Sequence, residues 1–365
     1  SIGDSVEVAI AGPNLGESVV AVSAPEGLRP GTLLGVPAAG PDGRPAEGGP
    51  RLVAAEGSQV VEVEPNDEPC CGMELAVPGG LSGRIDHDGD LDHVSIEAKA
   101  GQPWIIEVFG HRLGTQIDPV VEVLDEAGEP IPLAVLRPVA RTSVAFRDHN
   151  ATQDRIRLTR WDELAQDDYL LIGRELTRLF ALPRNPDDDA VFWSSGGRRL
   201  SFLGTTSEQH PQDQPIDKVE IHPPGTTFPP GGAEPITLYH RNDDAPDLGK
   251  DAALRFDPPG EGRYVIRVSD ARGRGGPGFG YHLVVRKPHP DFSISLSTEN
   301  PDIPRGGATV ITARVRRIDG FEGPIDLRVE GLPPGISATS ARIEPGHFAA
   351  DFLLMAEEGA PTFSS

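Results

Sequence analysis

The sequence predicts an all-β protein, and three observations support this prediction. First, 43 glycines and 37 prolines make up more than one fifth of the 365 residues, which is typical of many short strands joined by turns. Second, apolar and polar residues alternate with a period of two, as in Val94, Ile96 and Ala98 with Ser95 and Glu97 between them. Third, clusters of Gly, Pro, Asn and Asp separate such stretches at short intervals.

Charge and cysteine content limit the function. The formal net charge of -23 is opposite in sign to that of a nucleic-acid-binding protein, so we expect no nucleic-acid partner. An acidic surface suits solubility and cation binding. No apolar run reaches the length of a membrane span. Cys70 and Cys71 are adjacent, and because a bridge between neighbours is strained, we expect two thiols in a loop.

The first segment, residues 1–57, begins with a predicted hairpin. Residues 6–11 alternate and are followed by Gly-x-Asn-Leu, with residues 19–22 as the partner strand. This pattern resembles the first hairpin of an Ig-like IPT/TIG domain. Residues 30–50 are rich in Pro and Gly and predict a linker. The segment is too short for a complete sandwich, so we expect either a remnant or a segment docked on the next domain.

Two acidic stretches organise the rest of the chain. Residues 61–68 are Val-Glu-Val-Glu-Pro-Asn-Asp-Glu, and residues 83–96 contain a strand, an acidic turn and a second strand. Carboxylates this dense require screening by solvent or by a cation. A hard cation with oxygen ligands, above all Ca²⁺, is the usual partner of such a group.

These stretches carry a family resemblance. Glu-x-Glu-Pro-Asn-Asp at 62–67, followed by Gly-x-Ile-Asp-x-x-Gly-Asp-x-Asp-x-Val-x-Ile at 83–96, resembles the opening of bacterial pre-peptidase C-terminal (PPC) domains. The collagen-binding domains of bacterial collagenases are relatives. The matching segments form two blocks, about 60–136 and 236–287. The resemblance implies a secreted, non-catalytic, jelly-roll-like β-sandwich that is attached to larger extracellular proteins, often with a Ca²⁺ site.

The resemblance also implies a set of metal ligands. Matched position by position, they are Glu62, Glu64, Asn66, Asp67, Asp90 and Asp92, with Asp88 as a neighbour in the same turn. The alternative is a purely structural turn, because Asp and Asn side chains cap turns through hydrogen bonds to their own backbone. An EF-hand loop starting at Asp86 is excluded, since Leu91 stands where Gly is required and the flanks are strands.

Residues 137–235 depart from the family pattern, which normally crosses this gap in a few residues. We predict a mainly β insertion with strands at 169–173, 177–182, 199–203 and 218–221. Residues 174–182 also fit a helix, because Leu176, Leu179 and Phe180 have i, i+3, i+4 spacing. This order of segments resembles that of planctomycete-type secreted PPC proteins.

The predicted organisation is therefore three domains. Residues 1–57 form a partial Ig-like or IPT/TIG-like segment, and residues 58–287 form the PPC-like sandwich with its insertion at 137–235. Residues 288–365 contain strands at the spacing of an Ig-like sandwich, which we expect to be truncated at its C-terminal end.

Other polar features have simpler interpretations. The acidic runs 187–189 and 242–244, the latter with Asp247 and Asp251, predict solvated loops. His93 is expected to be an exposed strand residue. Trp161 and Trp193 fit either a small core or a binding platform. The chain contains no Gly-x-Ser-x-Gly or His-Glu-x-x-His motif.

We therefore expect a non-catalytic, multi-domain β-protein that is secreted, periplasmic or at the cell surface, with a module for stability, targeting or adhesion that Ca²⁺ stabilises. Expected partners are an extracellular polymer or other domains of the same protein. Two alternatives remain open: carbohydrate or peptide binding by the insertion, and a hydrolase fragment with its active site there. The role of such a module depends on what it is attached to.

Overall fold

The computed structural model describes residues 2–12, 15–37, 44, 49–195, 197–245 and 248–362. Strands account for 45% of the structure and helix for 1%, so the all-β prediction is confirmed. The chain divides into two compact units, Ser1–Lys287 and Pro288–Ser365. Among the described residues, no helix is long and apolar enough to cross a bilayer.

The N-terminal segment forms two small hairpins. The predicted first hairpin is present, with Val8 opposite Val20. Leu33 and Val53 of the second hairpin pack against Phe109 and Val284 of the sandwich, so the segment is docked on the following domain. The strands are β1 (Ser5–Gly12), β2 (Leu15–Ser23), β3 (Leu33–Gly35) and β4 (Arg51–Val53).

The two blocks that carry the family resemblance build one β-sandwich of two five-stranded sheets. The first block supplies β5 (Ser58–Val61), β6 (Met73–Glu74), β7 (Gly79–Arg84), β8 (Asp92–Ala98), β9 (Trp104–Phe109) and β10 (Pro119–Leu124), with a short 3-10 helix at His111–Leu113. β9 and β10 are rich in β-branched and aromatic residues, which favour strands.

A seven-stranded sheet and a small hairpin separate the two blocks. The hairpin consists of β16 (Ser194–Ser195) and β17 (Arg198–Arg199). Six strands of the seven-stranded sheet come before the second block: β11 (Pro132–Ser143), β12 (Arg155–Ile156), β13 (Tyr169–Ile172), β14 (Glu175–Ala181), β15 (Ala190–Phe192) and β18 (Pro215–His222). Residues 175–181 form a strand, so the helical alternative is wrong. The strand predicted at 199–203 is reduced to Arg198–Arg199.

The second block completes both the insertion sheet and the sandwich. Its strands are β19 (Ile236–Tyr239), β20 (Arg241–Asn242), β21 (Ala253–Phe256), β22 (Gly262–Asp270) and β23 (Gly280–Arg286). One sandwich sheet has the order β20-β10-β22-β8-β6, the other the order β21-β9-β23-β7-β5, and the insertion sheet the order β12-β15-β14-β13-β18-β11-β19.

The sandwich core forms because period-two alternation turns one apolar face of each sheet inward. Val94 and Ile96 of β8 meet Ile106 of β9 and Leu283 of β23 in one buried cluster. Full burial of side chains of this size contributes about 1.5–3 kcal/mol each. This core fixes the spacing between the two sheets at the end where the acidic residues lie.

The C-terminal unit, residues 288–362, contains a four-stranded and a two-stranded sheet. Ile311 and Phe352 form one buried cluster, and Val315, Ile325 and Ile343 form another. The strands are β24 (Asp291–Leu296), β25 (Ala308–Ile318), β26 (Ile325–Leu327), β27 (Ile336–Ala338), β28 (Ala341–Ile343) and β29 (Ala349–Ala356).

Candidate metal centre

Glu62 follows edge strand β5 and is fixed over the neighbouring strand β7. Its backbone N–H donates to Ser82 O at 3.0 Å, and its Oε1 accepts a hydrogen bond from Arg84 N. Gly83 lies directly beneath the carboxylate, where a Cβ atom would collide with Glu62 Oε2 and Tyr281 Oη. The absence of a side chain at Gly83 therefore lets the carboxylate approach the sandwich interior.

Asp92 begins β8 and lies on the same face as the core residues Val94 and Ile96. Its exposure is 0%, and neither carboxylate oxygen has a hydrogen-bond partner. The hydroxyl of Tyr281 lies close enough to Asp92 to lower its pKa, but the hydrogen bond that it donates goes to Glu62 Oε2 at 3.5 Å. A buried carboxylate without a donor is costly, because nothing replaces the water lost on folding.

Three carboxylates converge at this point. One oxygen each of Glu62, Glu64 and Asp92 lies within 4.8 Å of the others. Burial, with the negative charges of Glu62, Asp90 and Glu64, raises the pKa of Asp92 to about 8. Burial and neighbouring carboxylates raise the pKa of Glu62 to about 7 and also raise that of Glu64. The site therefore favours whatever neutralises it, either protons or a cation.

A second group adjoins the first. Asp67, His87 and Asp90 each offer one ligand atom, and these atoms also lie within 4.8 Å of one another. Asp67 and His87 are exposed, whereas Asp90 is buried and accepts a hydrogen bond from Asp86 N. The charges of Asp90 and Asp67 contribute to the raised pKa of Glu64, after the larger effect of burial, so the two groups are electrostatically linked.

Asn66 connects the acidic segment to β8. Its backbone N–H donates to Glu64 Oε2 at 2.9 Å, and its carbonyl oxygen accepts from His93 N at 3.2 Å and contacts His93 Nδ1 at 3.1 Å. The side chain is only 2% exposed, yet its Oδ1 has no hydrogen-bond partner. Asn66 thus adds a third unpartnered buried oxygen, after the two of Asp92, to this end of the sandwich.

The structure therefore brings together most of the residues that the sequence singled out, in two groups rather than one. Glu62, Glu64 and Asp92 form the first group, Asp67 and Asp90 belong to the second, and Asn66 is buried beside β8. Asp88 belongs to neither group, because its Oδ1 accepts a hydrogen bond from Gly275 N at 3.0 Å and so holds the glycine-rich loop of residues 272–280.

Two histidines differ from the sequence-based interpretation. His93 is 2% exposed, so the expectation of an exposed strand residue was wrong; the bonds to Asn66 hold it inside. Sequence reasoning did not single out His87 as a ligand. The available signal was its position between Asp86 and Asp88 in the acidic turn.

The second acidic run, at 242–244 with Asp251, is also more buried than expected. Asn242 is 1% exposed and Asp251 is 0% exposed, so neither belongs to a solvated loop face. Asp251 accepts hydrogen bonds from three successive backbone N–H groups, those of Gly110, His111 and Arg112. Asp247, named with this run, lies outside the described residues.

In the 187–189 run, Asp187 is exposed as expected, whereas Asp188 is half-buried and Asp189 is paired with Arg147 and Arg157.

The insertion contains buried polar residues and no aromatic platform at Trp193. Trp193 is 7% exposed and donates from Nε1 to Asp167 Oδ1 at 3.0 Å, while Trp161 packs against the apolar cluster of the sheet. Glu175 and Arg199 form a bidentate ion pair with 0% side-chain exposure. This pair is closed to solvent, so a substrate does not reach it.

Comparisons with known proteins add little. No protein-family model matches the chain, and no curated protein matches it. One solved structure that matches is of CorA, described as a surface-associated copper-binding protein important in copper acquisition by Methylomicrobium album BG8. It has a TM-score of 0.19 and 11% sequence identity, and the match covers 64% of this chain and 99% of that chain. We infer nothing about this chain from so low a TM-score.

Proposed function

We propose that this chain is part of a non-catalytic secreted or cell-surface protein, in which a PPC-type β-sandwich is stabilised by Ca²⁺ held between the acidic segment and the acidic hairpin. The observation that carries the proposal is Asp92, a fully buried carboxylate with two unpartnered oxygens beside Glu62 and Glu64. A group this costly to bury is compensated when a cation coordinates it.

The residues present fit calcium. Glu62, Glu64 and Asp92 offer only oxygen ligands, and the unpartnered amide oxygen of Asn66 is of the same kind. Ca²⁺ takes six to eight oxygens in flexible geometry, whereas Mg²⁺ requires a near-ideal octahedron and retains water. Thiolate or imidazole ligands, which softer metals prefer, are absent from the first group of described residues.

The role of the ion would be structural. Glu62 follows β5 of one sheet, and Asp92 begins β8 of the other. A cation between them removes the repulsion of the carboxylates and ties the two sheets at one end. The acidic segment leaves β5 at this end, so binding would stiffen the connection that follows β5. Such stiffening suits a module that supports adhesion to an extracellular polymer or to other domains of its own protein.

Thermal unfolding with and without calcium tests this proposal. At a free calcium concentration 100 times Kd, binding stabilises the folded state by about 2.7 kcal/mol, which corresponds to a Tm increase of roughly 5 °C for a unit of this size. EDTA should reverse the increase, and Mg²⁺ should produce a smaller one. Isothermal titration calorimetry on the same samples gives the stoichiometry.

Asp92→Asn separates a metal ligand from a structural carboxyl group, because the two roles predict different results in EDTA and in calcium. In EDTA at pH 7 the variant should be about as stable as the wild type, since burial raises the pKa of Asp92 to about 8 and Asn then replaces a group that is already mostly neutral. With calcium it should lose most of the Tm increase. The matched control is Glu126→Gln, which removes one charge from an exposed turn of the same sandwich and should leave both values unchanged.

The proposal fails if Asp92→Asn lowers Tm equally in EDTA and in calcium, or if the wild type shows no response to calcium in either method. A response to Zn²⁺ alone that His87→Ala abolishes would instead assign the ion to the second group of Asp67, His87 and Asp90.

A further inference from the structure

The two cysteines of the chain lie side by side at a surface turn. Cys70 and Cys71 are both exposed thiols, and their Sγ atoms are 3.0 Å apart. Neighbouring side chains in an extended strand point to opposite faces. Here a turn closed by a hydrogen bond from Cys71 N to Glu68 O, at 2.9 Å, brings both thiols to the same side.

Both ends of this turn are fixed to the same strand. Before the turn, the carbonyl oxygen of Asn66 accepts from His93 N at 3.2 Å; after it, Met73 is paired with Val94. Gly72 lies so close to β8 that a Cβ atom there would be 2.7 Å from His93 O. Residues 67–72 are therefore a short loop clamped to two successive residues of β8, which limits how far the thiols can separate.

We propose that Cys70 and Cys71 are a redox-responsive site that forms a vicinal disulfide by exchange with small disulfide molecules. One cysteine, as thiolate, attacks a disulfide such as oxidised glutathione, forming a mixed disulfide and releasing one glutathione thiolate. The second cysteine then attacks the protein sulfur of that mixed disulfide and releases the other glutathione. Two protein thiols are oxidised, one glutathione disulfide is reduced to two thiols, and the two thiol protons pass to the released glutathione.

The geometry also determines how easily such a disulfide would be reduced. Neighbouring Cα atoms across a trans peptide are about 3.8 Å apart, below the usual separation of about 4.4–6.8 Å in disulfides. A bond that must distort its ring is more easily reduced, and strained, exposed disulfides are the labile ones. The pair therefore suits reversible modification by thiols and disulfides at the cell surface rather than permanent stapling of the fold.

Intact mass spectrometry after incubation with oxidised glutathione tests this inference. The wild type should lose two hydrogen atoms, carry no glutathione and fall from two free thiols to none in a thiol titration. Cys70→Ser and Cys71→Ser should each retain one glutathione adduct, because no second thiol is present to displace it. Both residues are exposed, so the variants should fold like the wild type.

Titration with reduced glutathione then measures lability. The two free thiols of the oxidised wild type should return at thiol concentrations that leave an ordinary structural disulfide intact. A wild type with two glutathione adducts, an interchain dimer on a non-reducing gel, or two thiols that remain unchanged would each overturn the inference.

Discussion

Two buried carboxylates show how far local surroundings decide the behaviour of one chemical group. Glu175 and Asp92 are both 0% exposed. Burial raises the pKa of Glu175, but hydrogen bonds from His210 and Arg199 outweigh that effect and hold its pKa below the usual value. For Asp92, the nearby Tyr281 hydroxyl offsets only part of the effect of burial and of the neighbouring carboxylates, and the pKa rises to about 8. Protein donors therefore stabilise the charged form of Glu175, whereas we propose that a cation does so for Asp92.

Glu175→Gln should destabilise the N-terminal unit strongly. The change leaves the guanidinium of Arg199 buried without its bidentate counter-ion, and breaking a buried pair costs about 3–5 kcal/mol. Urea unfolding at pH 7 measures this loss. Glu163→Gln is the control, because its ion pair with Arg160 is exposed and surface pairs contribute less than about 1 kcal/mol. Equal, small effects for both variants would contradict the assignment.

The Glu175–Arg199 pair should also make the stability of the fold decrease as the pH falls. The folded pKa of Glu175 lies below its ordinary value of 4.5, so its contribution is fully present above pH 4.5 and is lost as the pH falls through the folded pKa. Urea midpoints between pH 7 and pH 3 should decrease more steeply for the wild type than for Glu175→Gln. Parallel curves would show that the group does not contribute to acid unfolding.

At the scale of elements, alternation in the sequence predicted the strands where each strand has one buried face. The exception is β14, where the helical spacing of Leu176, Leu179 and Phe180 was misleading. Leu176 packs into one apolar cluster and Leu179 into another, on the opposite face of the sheet. Both faces of this central strand are covered, so apolar residues occur without a period of two.

The candidate site was predictable in composition but not in arrangement. The acidic pattern predicted which segments would meet, because its short motifs resemble those of PPC domains. It did not separate Glu62, Glu64 and Asp92 from the second group, because that separation depends on how β5 and β8 lie in opposite sheets. Nor did it exclude Asp88, whose partner, Gly275, is far away in sequence.

The contacts of Asp251 lead to a prediction about the 3-10 helix that follows β9. Its carboxylate is the acceptor for the backbone N–H groups of residues 110–112 and pairs with Arg112. Asp251→Ala leaves these donors without an acceptor and should cost roughly 3 kcal/mol or more. The 3-10 helix His111–Leu113 should then open, so trypsin should cleave after Arg112 much faster than in the wild type.

The control for that experiment is Asp257→Ala. Asp257 pairs with Arg255 at the surface, where its side chain is 59% exposed, so the cleavage pattern should not change. Resistance at Arg112 in the Asp251→Ala variant would show that packing, rather than this carboxylate, holds the segment.

For the whole molecule, the main feature is that one long insertion leaves and re-enters the sandwich at neighbouring points. His240 N donates to Ile131 O at 3.0 Å, and Ile131 N donates to Val123 O at 3.1 Å. The predicted insertion, 137–235, lies within the span between these two residues. Its boundaries are hard to predict because β11 and β19 begin the insertion sheet directly beside the residues that close the sandwich. The sandwich and insertion sheet have separate apolar clusters.

This arrangement predicts that the sandwich folds without its insertion. Replacing residues 132–239 by Asn-Gly, a two-residue hairpin turn, joins positions that are already hydrogen-bonded. The excision removes the contacts of Asn242 with Gly204 and of Asp243 with Thr206, so we expect a loss of about 2 kcal/mol. Far-UV circular dichroism should still show a β-protein.

The excised protein retains Trp104 as its single tryptophan, which makes its fluorescence a direct probe of the sandwich core. If the metal centre belongs to the sandwich alone, calcium should raise the Tm reported by Trp104 as much as in the intact chain, and Asp92→Asn in the excised protein should remove that increase. A folded excised protein without a calcium response would place part of the site in the insertion. An unfolded excised protein, recognised by solvent-exposed Trp104 fluorescence at all temperatures, would show that the sandwich depends on the insertion sheet for its stability.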